Sequence, residues 1–340
     1  MKDTIGKDSR VRGLLQFYGA NRTGRWAGRL VQVQNLPRNY LESLDLAREC
    51  VRNRRVDALS VIYGNIPDTL SQLIRTALVP QDGHVFLVAD FSAIEARVIA
   101  WLAGEHWRQD VFATHGKIYE ASASAMFDVP LGEITRGSEL RQKGKVAELA
   151  LGYQGGPGAL KAMGALNMGL TEEELPEIVQ RWRTANKNIV NFWYALESAA
   201  LTVVRTGQAQ QVRGIVLARE ADASNDLDFM TIQLPSGRKL YYPKPYIGVN
   251  KYDKEAVFFR GINQATRKWE EDSTYGGKIA ENITQAIARD CLADSIRRLH
   301  ELGYDIVFHV HDEVVIEEPG QTREQGEHIL KQVIEIMEQP

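Results

Sequence analysis

The sequence predicts an α+β or mixed α/β protein: one sheet-based core with a mainly helical segment inserted into it. Three observations carry this. Apolar, strand-like runs stand at residues 84–90 (HVFLVAD) and 305–318 (DIVFHVHDEVVIEE), far apart in the chain. Between them, from residue 92 to 206, apolar positions recur at helical spacing. From 209 to 262 the character changes to β-type runs, with a Pro-Ser-Gly hairpin signal inside FMTIQLPSGRKLYYP.

Taken in order, the first element is a helix over 41–56 (LESLDLARECVRNRRV), whose apolar positions keep helical spacing. Asp68 is placed to cap a second helix running through Leu78. The strand at 84–90 leads directly into a helix over 92–105, and further helices are expected near 117–127, 137–151, 172–185 and 189–206. After the β-rich stretch, helix returns from about Lys278 to Leu302. The run 305–318 then reads as two strands broken at His311-Asp312-Glu313, before a final amphipathic helix from about residue 321. A length of 340 residues favours about two domains.

Hydrophobic residues make up 44% of the chain and charged residues 25%, the balance of an ordinary folded protein. That excludes a disordered tail, a collagen-like rod and a membrane bundle. No run approaches the ~18 apolar residues of a spanning helix, and MKDTIGKDSR lacks the apolar core of a signal peptide, so no membrane partner is expected. Two distant cysteines, Cys50 and Cys291, give neither a disulfide framework nor a cysteine zinc site. A cytoplasmic location is expected. The net charge of −3 hides a polarity: residues 1–60 carry twelve Lys/Arg against six Asp/Glu, residues 301–340 two against ten. A basic stretch can bind phosphate locally whatever the total, because charge is screened beyond about 10 Å.

Two acidic positions stand out. Asp90 ends the apolar run HVFLVA, and Asp312 sits at the tip of FHVHDEVVI. An Asp at a strand end is commonly a helix N-cap, and one at a hairpin tip commonly a turn former. Together, however, two strand-end carboxylates in one sheet are what a pair of divalent cations needs. Mg²⁺ takes oxygen ligands, typically one or two carboxylates plus substrate phosphates, and two such ions stabilise both oxygens of an in-line phosphoryl displacement. Between these positions lies RQKGKVAELALGYQGG. Arg141, Lys145 and Tyr153 are spaced by four and eight and are expected on one face of a single helix. Such a cation pair, with the carboxylates, could hold a triphosphate; a plain solvent-exposed basic face has the same spacing.

These residues resemble motifs of the family A, or DNA polymerase I-like, DNA polymerases, in particular their bacteriophage and prophage members. The first carboxylate motif, D-Y-S-x-I-E-x-R, stands here as Asp90-Phe91-Ser92-Ala93-Ile94-Glu95-Ala96-Arg97. The finger-helix motif, R-x3-K-x7-Y, is matched by Arg141, Lys145 and Tyr153. The V-H-D-E motif is Val310-His311-Asp312-Glu313. Upstream, T-G-R and L-Q-N-I-P appear as Thr23-Gly24-Arg25 and Val33-Gln34-Asn35-Leu36-Pro37. The resemblance covers about residues 12–318.

The resemblance implies a polymerase palm (an antiparallel sheet with helices) plus mainly helical fingers. Residues 1–104 would form the N-terminal part of the palm, 105–208 the fingers, and 209–340 a β-rich insertion followed by the rest of the palm. Its implied activity is template-directed addition of dNTPs to a primer by two-metal-ion chemistry, with primer-template DNA and dNTPs as partners. Asp90 and Asp312 would bind two Mg²⁺ ions, with Mn²⁺ as a substitute. Lys145 would contact the phosphates and assist the leaving group, with Arg141 beside it. Tyr153 would sit near the templating base. Glu95 would lie by the nucleotide sugar, hold Tyr153 and exclude a 2′-hydroxyl. His311 and Glu313 would help place the primer terminus, and Arg25, Gln34, Asn35, Arg38 and Gln285 would contact duplex and template without reading sequence.

The departures from the pattern carry expectations of their own. Leu149 occupies the finger-helix position usually held by an aromatic residue, which removes a stacking surface for the incoming sugar. Tyr119 stands where many members have His. The familiar N-x3-Q is here Asn282-x2-Gln285, which favours Gln285 over Asn282. The thumb and 3′–5′ exonuclease are expected to be missing, the chain being either the C-terminal fragment of a longer polymerase or a naturally minimal form. A missing thumb/exonuclease region or a processivity factor is an expected partner, so that extension would be distributive and without proofreading. Two other readings compete: a non-catalytic DNA-binding remnant, and a single-subunit RNA polymerase, against which Glu95 argues. A two-metal nuclease would leave the Arg141/Lys145/Tyr153 segment without a purpose.

Overall fold

The computed structural model describes residues 5–37, 39–263, 266–320 and 322–339. A hairpin of β1 (Leu15–Ala20) and β2 (Arg25–Gly28) comes first, followed by three short helices: α1 (Leu44–Arg52), α2 (Val56–Tyr63) and α3 (Ile66–Leu73). Strand β3 (His84–Asp90) precedes a helical run of α4 (Ile94–Ala103), α5 (His106–Thr114), α6 (Ile118–Phe127), α7 (Glu139–Leu151), α8 (Pro157–Ala162), α9 (Leu175–Ala185) and α10 (Lys187–Thr206). Seven strands follow: β4 (Gln210–Val212), β5 (Ile215–Asp222), β6 (Leu227–Gln233), β7 (Lys239–Pro243), β8 (Tyr246–Val249), β9 (Glu255–Ile262) and β10 (Trp269–Thr274). The chain closes with α11 (Gly276–Glu301), β11 (Ile306–Val310), β12 (Glu313–Pro319) and α12 (Arg323–Met337). Every strand pairing is antiparallel, so the α+β class holds.

The chain divides into two compact units. The first comprises residues 1–20, 24–92 and 291–340; the second, residues 21–23 and 93–290.

In the first unit, β11, β12 and β3 form a three-stranded sheet in that order. Strand β3 alternates: Leu87 and Ala89 are buried while Val88 and Asp90 are exposed, the period of two that puts alternate side chains on opposite faces. The covered face packs Leu87, Ala89, Val314 and Ile316 against Leu292 and Leu299 of α11 and Val333 and Met337 of α12. Asp90 belongs to the opposite face, which is exposed at Val88 and Asp90 and covered at Val315 and Glu317. The helix expected over 41–56 is shorter, Leu44–Arg52, and a separate helix that was not expected begins at Val56. Arg54 adopts φ 55°, and the N–H of Arg55 returns to the carbonyl of Cys50 at 2.8 Å. A left-handed residue just past a helix end closes it, and apolar spacing alone does not reveal that. The next helix is capped by Asn65, not Asp68: the Asn65 side chain accepts from the Asp68 N–H at 3.1 Å, with a proline in the first turn.

In the second unit, the helices enclose a stacked pair, Trp182 and Trp193, with ring centres 5.9 Å apart and planes 4° from parallel. Two sheets accompany them, β4-β5-β6-β7 and β10-β9-β8. The hairpin around Pro-Ser-Gly is present as β6 and β7, pairing Gln233 with Lys239, but the β-type stretch continues past residue 262 to Thr274. The buried side of α7 is tied by polar contacts. Glu148 receives both amino groups of Arg108, the Ser122 hydroxyl at 2.8 Å and the Trp182 indole N–H at 3.0 Å. Arg108 and Glu148 are 2% and 5% exposed.

Candidate active site

Within the first unit, the sheet register builds an acidic corner. Asp90 lies directly across from Glu313, Val310 pairs with Glu313, and the turn between β11 and β12 is the two residues His311 and Asp312. His311 supplies the left-handed conformation such a turn demands, φ 50°. The backbone N–H of Phe91 donates to the Asp312 carbonyl at 3.1 Å. Asp312 is therefore both a turn residue and a neighbour of Asp90. Asp90 is not a helix cap, because the N-cap position of α4 is Ala93.

The electrostatics of the corner follow from this crowding. Burial, and then the Asp90 charge, push the Asp312 carboxyl above its ordinary value, while Arg25 and His311 pull the other way. Burial and Asp90 likewise raise Glu313, opposed by Arg75. Arg75 went unnoticed in the sequence because it comes from the turn after α3, where it also donates to the Leu36 carbonyl at 3.1 Å. Among the described residues no cluster of three or more His, Cys, Asp or Glu side chains is arranged to hold a metal. The donors present are two aspartate carboxylates whose mutual repulsion a cation would relieve. An oxygen-only donor pair completed by water or phosphate is a Mg²⁺-type set.

The proposed template and duplex contacts of this unit are differently disposed. Arg25 begins β2, next to Trp26, whose ring lies edge-on to His309 at 4.6 Å. Gln34 and Asn35 share a single 3₁₀ turn, Val33–Asn35. The side-chain oxygen of Gln34 is buried with no hydrogen-bond partner. Asn35 is exposed and donates to Gln32 at 2.6 Å. Arg38 lies outside the described residues.

Within the second unit, Tyr153 is not on the helix with Arg141 and Lys145. Helix α7 ends at Leu151, and Tyr153 follows in a turn. Its hydroxyl donates to Glu95 Oε2 at 3.1 Å, and burial followed by the Glu95 charge holds it well above the ordinary tyrosine value. Glu281, in the second turn of α11, also faces this pair: burial and then Glu95 raise its carboxyl. It escaped sequence reasoning, although it stands four residues before Gln285. Gln285 donates weakly to Glu281 at 3.4 Å, whereas Asn282 is buried and donates to the Tyr242 hydroxyl at 2.9 Å. Arg141 is held by Glu120 at 2.6 Å and lies 5.5 Å over the Tyr119 ring. Lys145, half-buried, makes no ion pair or hydrogen bond among the described residues. Leu149, one turn on, is 50% exposed.

The model of DNA polymerase family A matches residues 6–226. A DNA polymerase of Bacillus phage SP02 is 55% identical over the whole of this chain, which covers 51% of that protein. A thermostable DNA polymerase I of Thermus aquaticus is 24% identical over 80% of the chain and 27% of its own length. Among solved structures, the POL domain of Pol1 from M. smegmatis, in complex with DNA primer-template and dNTP, superimposes with a TM-score of 0.58 at 19% identity. That match covers 99% of this chain and 46% of that one. Fold and sequence thus point to one class, the nucleic acid polymerases. The chain belongs to DNA polymerase family A, and it spans about half the length of the phage relative.

Proposed function

We propose that this chain is a template-directed DNA polymerase, adding dNTPs to a primer 3′-hydroxyl by two-metal-ion nucleotidyl transfer. The observation that carries the reading is the Asp90–Asp312 carboxylate pair at the adjoining strand ends of one sheet, in a family A chain. Asp90 and Asp312 would hold two Mg²⁺ ions, or Mn²⁺ in their place; cations so held stabilise the attacking and leaving oxygens of the transfer. Glu313 and His311 flank that pair and would orient the primer terminus.

The second unit would supply the nucleotide contacts. Among the described residues Lys145 has no hydrogen-bond or ion-pair partner, so its charge is available to a triphosphate, and Arg141 would have to share its guanidinium with Glu120. Glu95, fixed by the Tyr153 hydroxyl, would present a carboxylate to the sugar and disfavour a 2′-hydroxyl. Tyr153 would meet the templating base, with Leu149 facing the incoming sugar. Arg25, Gln34, Asn35, Arg38 and Gln285 would position primer and template.

In this reading residues 105–208 act as fingers, and 1–104 with the last part of 209–340 act as palm. The DNA polymerases among the relatives and the primer-template and dNTP in the M. smegmatis complex support the same partners here, and the phage relative supports action in the host cytoplasm. Assayed alone, the 340-residue chain adds few nucleotides per encounter and does not excise a mismatched end.

Primer extension with Mg²⁺ and dNTPs tests the proposal. Wild type extends, while Asp90→Asn and Asp312→Asn do not. Equal background from all three would point to a binding remnant, and preferential use of rNTPs to an RNA polymerase.

A further inference from the structure

The second unit carries an open cleft of about 830 Å³ to which the catalytic reading gives no task. Its wall interleaves aromatic rings with cations. Tyr194 of α10, Tyr252 in the turn between β8 and β9, and Tyr275 just before α11 are 52%, 69% and 44% exposed. Lys251 and Lys254 stand in the same turn as Tyr252, with Lys251 Nζ 5.1 Å from the centre of that ring. Among the described residues neither lysine makes an ion pair. Arg183 enters from α9; one amino group donates to the Gly155 carbonyl at 3.1 Å, while its Nε is buried without a partner. Two acids also line the cleft. Asp272 is paired with Lys278 at 3.0 Å, so the other lining charges are Glu197 against Arg183, Lys251 and Lys254.

Exposed rings set among unpaired cations fit single-stranded nucleic acid: bases stack on the ring faces while phosphates follow the positive charges. A duplex offers phosphates but no free base faces, so it would leave three exposed tyrosines without a partner. Gln154, which also lines the cleft, directly follows Tyr153. The wall from Val249 to Lys278 lies beyond residue 226, where the match to the family model ends. We infer that this cleft binds single-stranded DNA, taking the unpaired template beyond the base read at Tyr153; the template assignment rests on the polymerase reading above.

The test is fluorescence anisotropy with a labelled oligodeoxythymidine of about ten nucleotides, within the span single-strand sites usually cover. Tyr252→Ala weakens binding about fivefold or more, as loss of one stacked base does, and Tyr252→Phe, which keeps the ring, binds like wild type. The double variant Lys251→Ala/Lys254→Ala flattens the dependence of log affinity on log salt by about 0.7 per lysine lost. In primer extension, Tyr252→Ala lowers the ratio of rates on a long overhang to a one-nucleotide overhang. Unchanged oligonucleotide affinity in both variants overturns the site, as does a blunt duplex that competes as well as the single strand. If the binding differences hold but no primer is extended by wild type, the single-strand site stands and the polymerase reading falls.

Discussion

The Tyr153 hydroxyl donates to Glu95 at 3.1 Å, joining the turn after α7 to the first turn of α4. A carboxylate anchored this way has a fixed position and little freedom to retreat from a nucleotide sugar. Glu95→Ala is therefore expected to raise rNTP use relative to dNTP by at least about tenfold, the scale of a lost steric and electrostatic contact of ~1.4 kcal/mol. Single-nucleotide incorporation with matched rNTP and dNTP measures the ratio. An unchanged ratio would remove Glu95 from sugar selection.

Lys145 offers a cleaner separation of chemistry from stability. Because it makes no ion pair or hydrogen bond among the described residues, Lys145→Ala should leave the unfolding free energy within about 0.5 kcal/mol of wild type. Extension should fall by about a hundredfold or more, the loss typical of a deleted charge that stabilises a transition state. Denaturant melts and kcat/KM for dNTP report the two quantities independently, and a variant that unfolds early would count against the assignment.

The acidic corner makes a pH-dependent prediction. Asp312 and Glu313 are raised in the folded protein by burial and by Asp90. The folded chain therefore keeps protons that the unfolded chain has released, and stability falls as pH climbs from the ordinary carboxylate range through the raised values. Asp312→Asn is expected to gain about 0.5–1 kcal/mol at pH ~7 while abolishing extension. The gain should shrink near pH ~4, where the carboxyls begin to take up protons. Thermal unfolding at both values checks this, and a loss of stability at neutral pH would contradict it.

Divalent cations should reverse the same repulsion. Mg²⁺ or Mn²⁺ raises the melting temperature of wild type by binding the folded state, and has little effect on Asp90→Asn/Asp312→Asn. Removing the cation with a chelator abolishes extension. An equal cation response in both proteins would place the binding elsewhere.

Glu148 tests the packing of α7. With Arg108 buried beside it, Glu148→Ala removes the counter-charge of a buried guanidinium, leaving it the neutral Asn186 oxygen at 3.0 Å, and should cost about 3–5 kcal/mol. Glu148→Gln keeps some of the hydrogen bonds and should cost less. Urea unfolding gives both values, and a cost below 1 kcal/mol for the alanine variant would mean that water reaches Arg108.

Much of this was legible in the residues. The strand ending at Asp90, the hairpin tip at Asp312 and the helix bearing Arg141 and Lys145 follow from apolar spacing, because burial enforces it. What spacing could not reveal is set by backbone conformation or by distant partners. Arg54 turns left-handed just after α1, which stops at Arg52 short of the expected end, and α2 follows where no helix was expected. Asn65, three residues before Asp68, captures the cap. Tyr153 keeps helical spacing but lies beyond the end of the helix, where its hydrogen bond to Glu95 supplies the alignment. Glu281 and Arg75 come to acidic neighbours only through tertiary folding. The cleft stayed invisible because its lining comes from α9, α10 and the segment from Val249 to Lys278, which only tertiary folding brings together.

The turn His311–Asp312 is only two residues long, and the strand after it has two obligations at once. Val314 and Ile316 must face the hydrophobic core, while Glu313 must stand opposite Asp90. A one-residue slip of β12 against β3 would exchange those faces, turning Glu313 toward the core and Val314 and Ile316 away from it. Natural variation in this hairpin should therefore proceed by replacement and not by changes in length: the segment cannot drift in size without forfeiting foldedness and chemistry together.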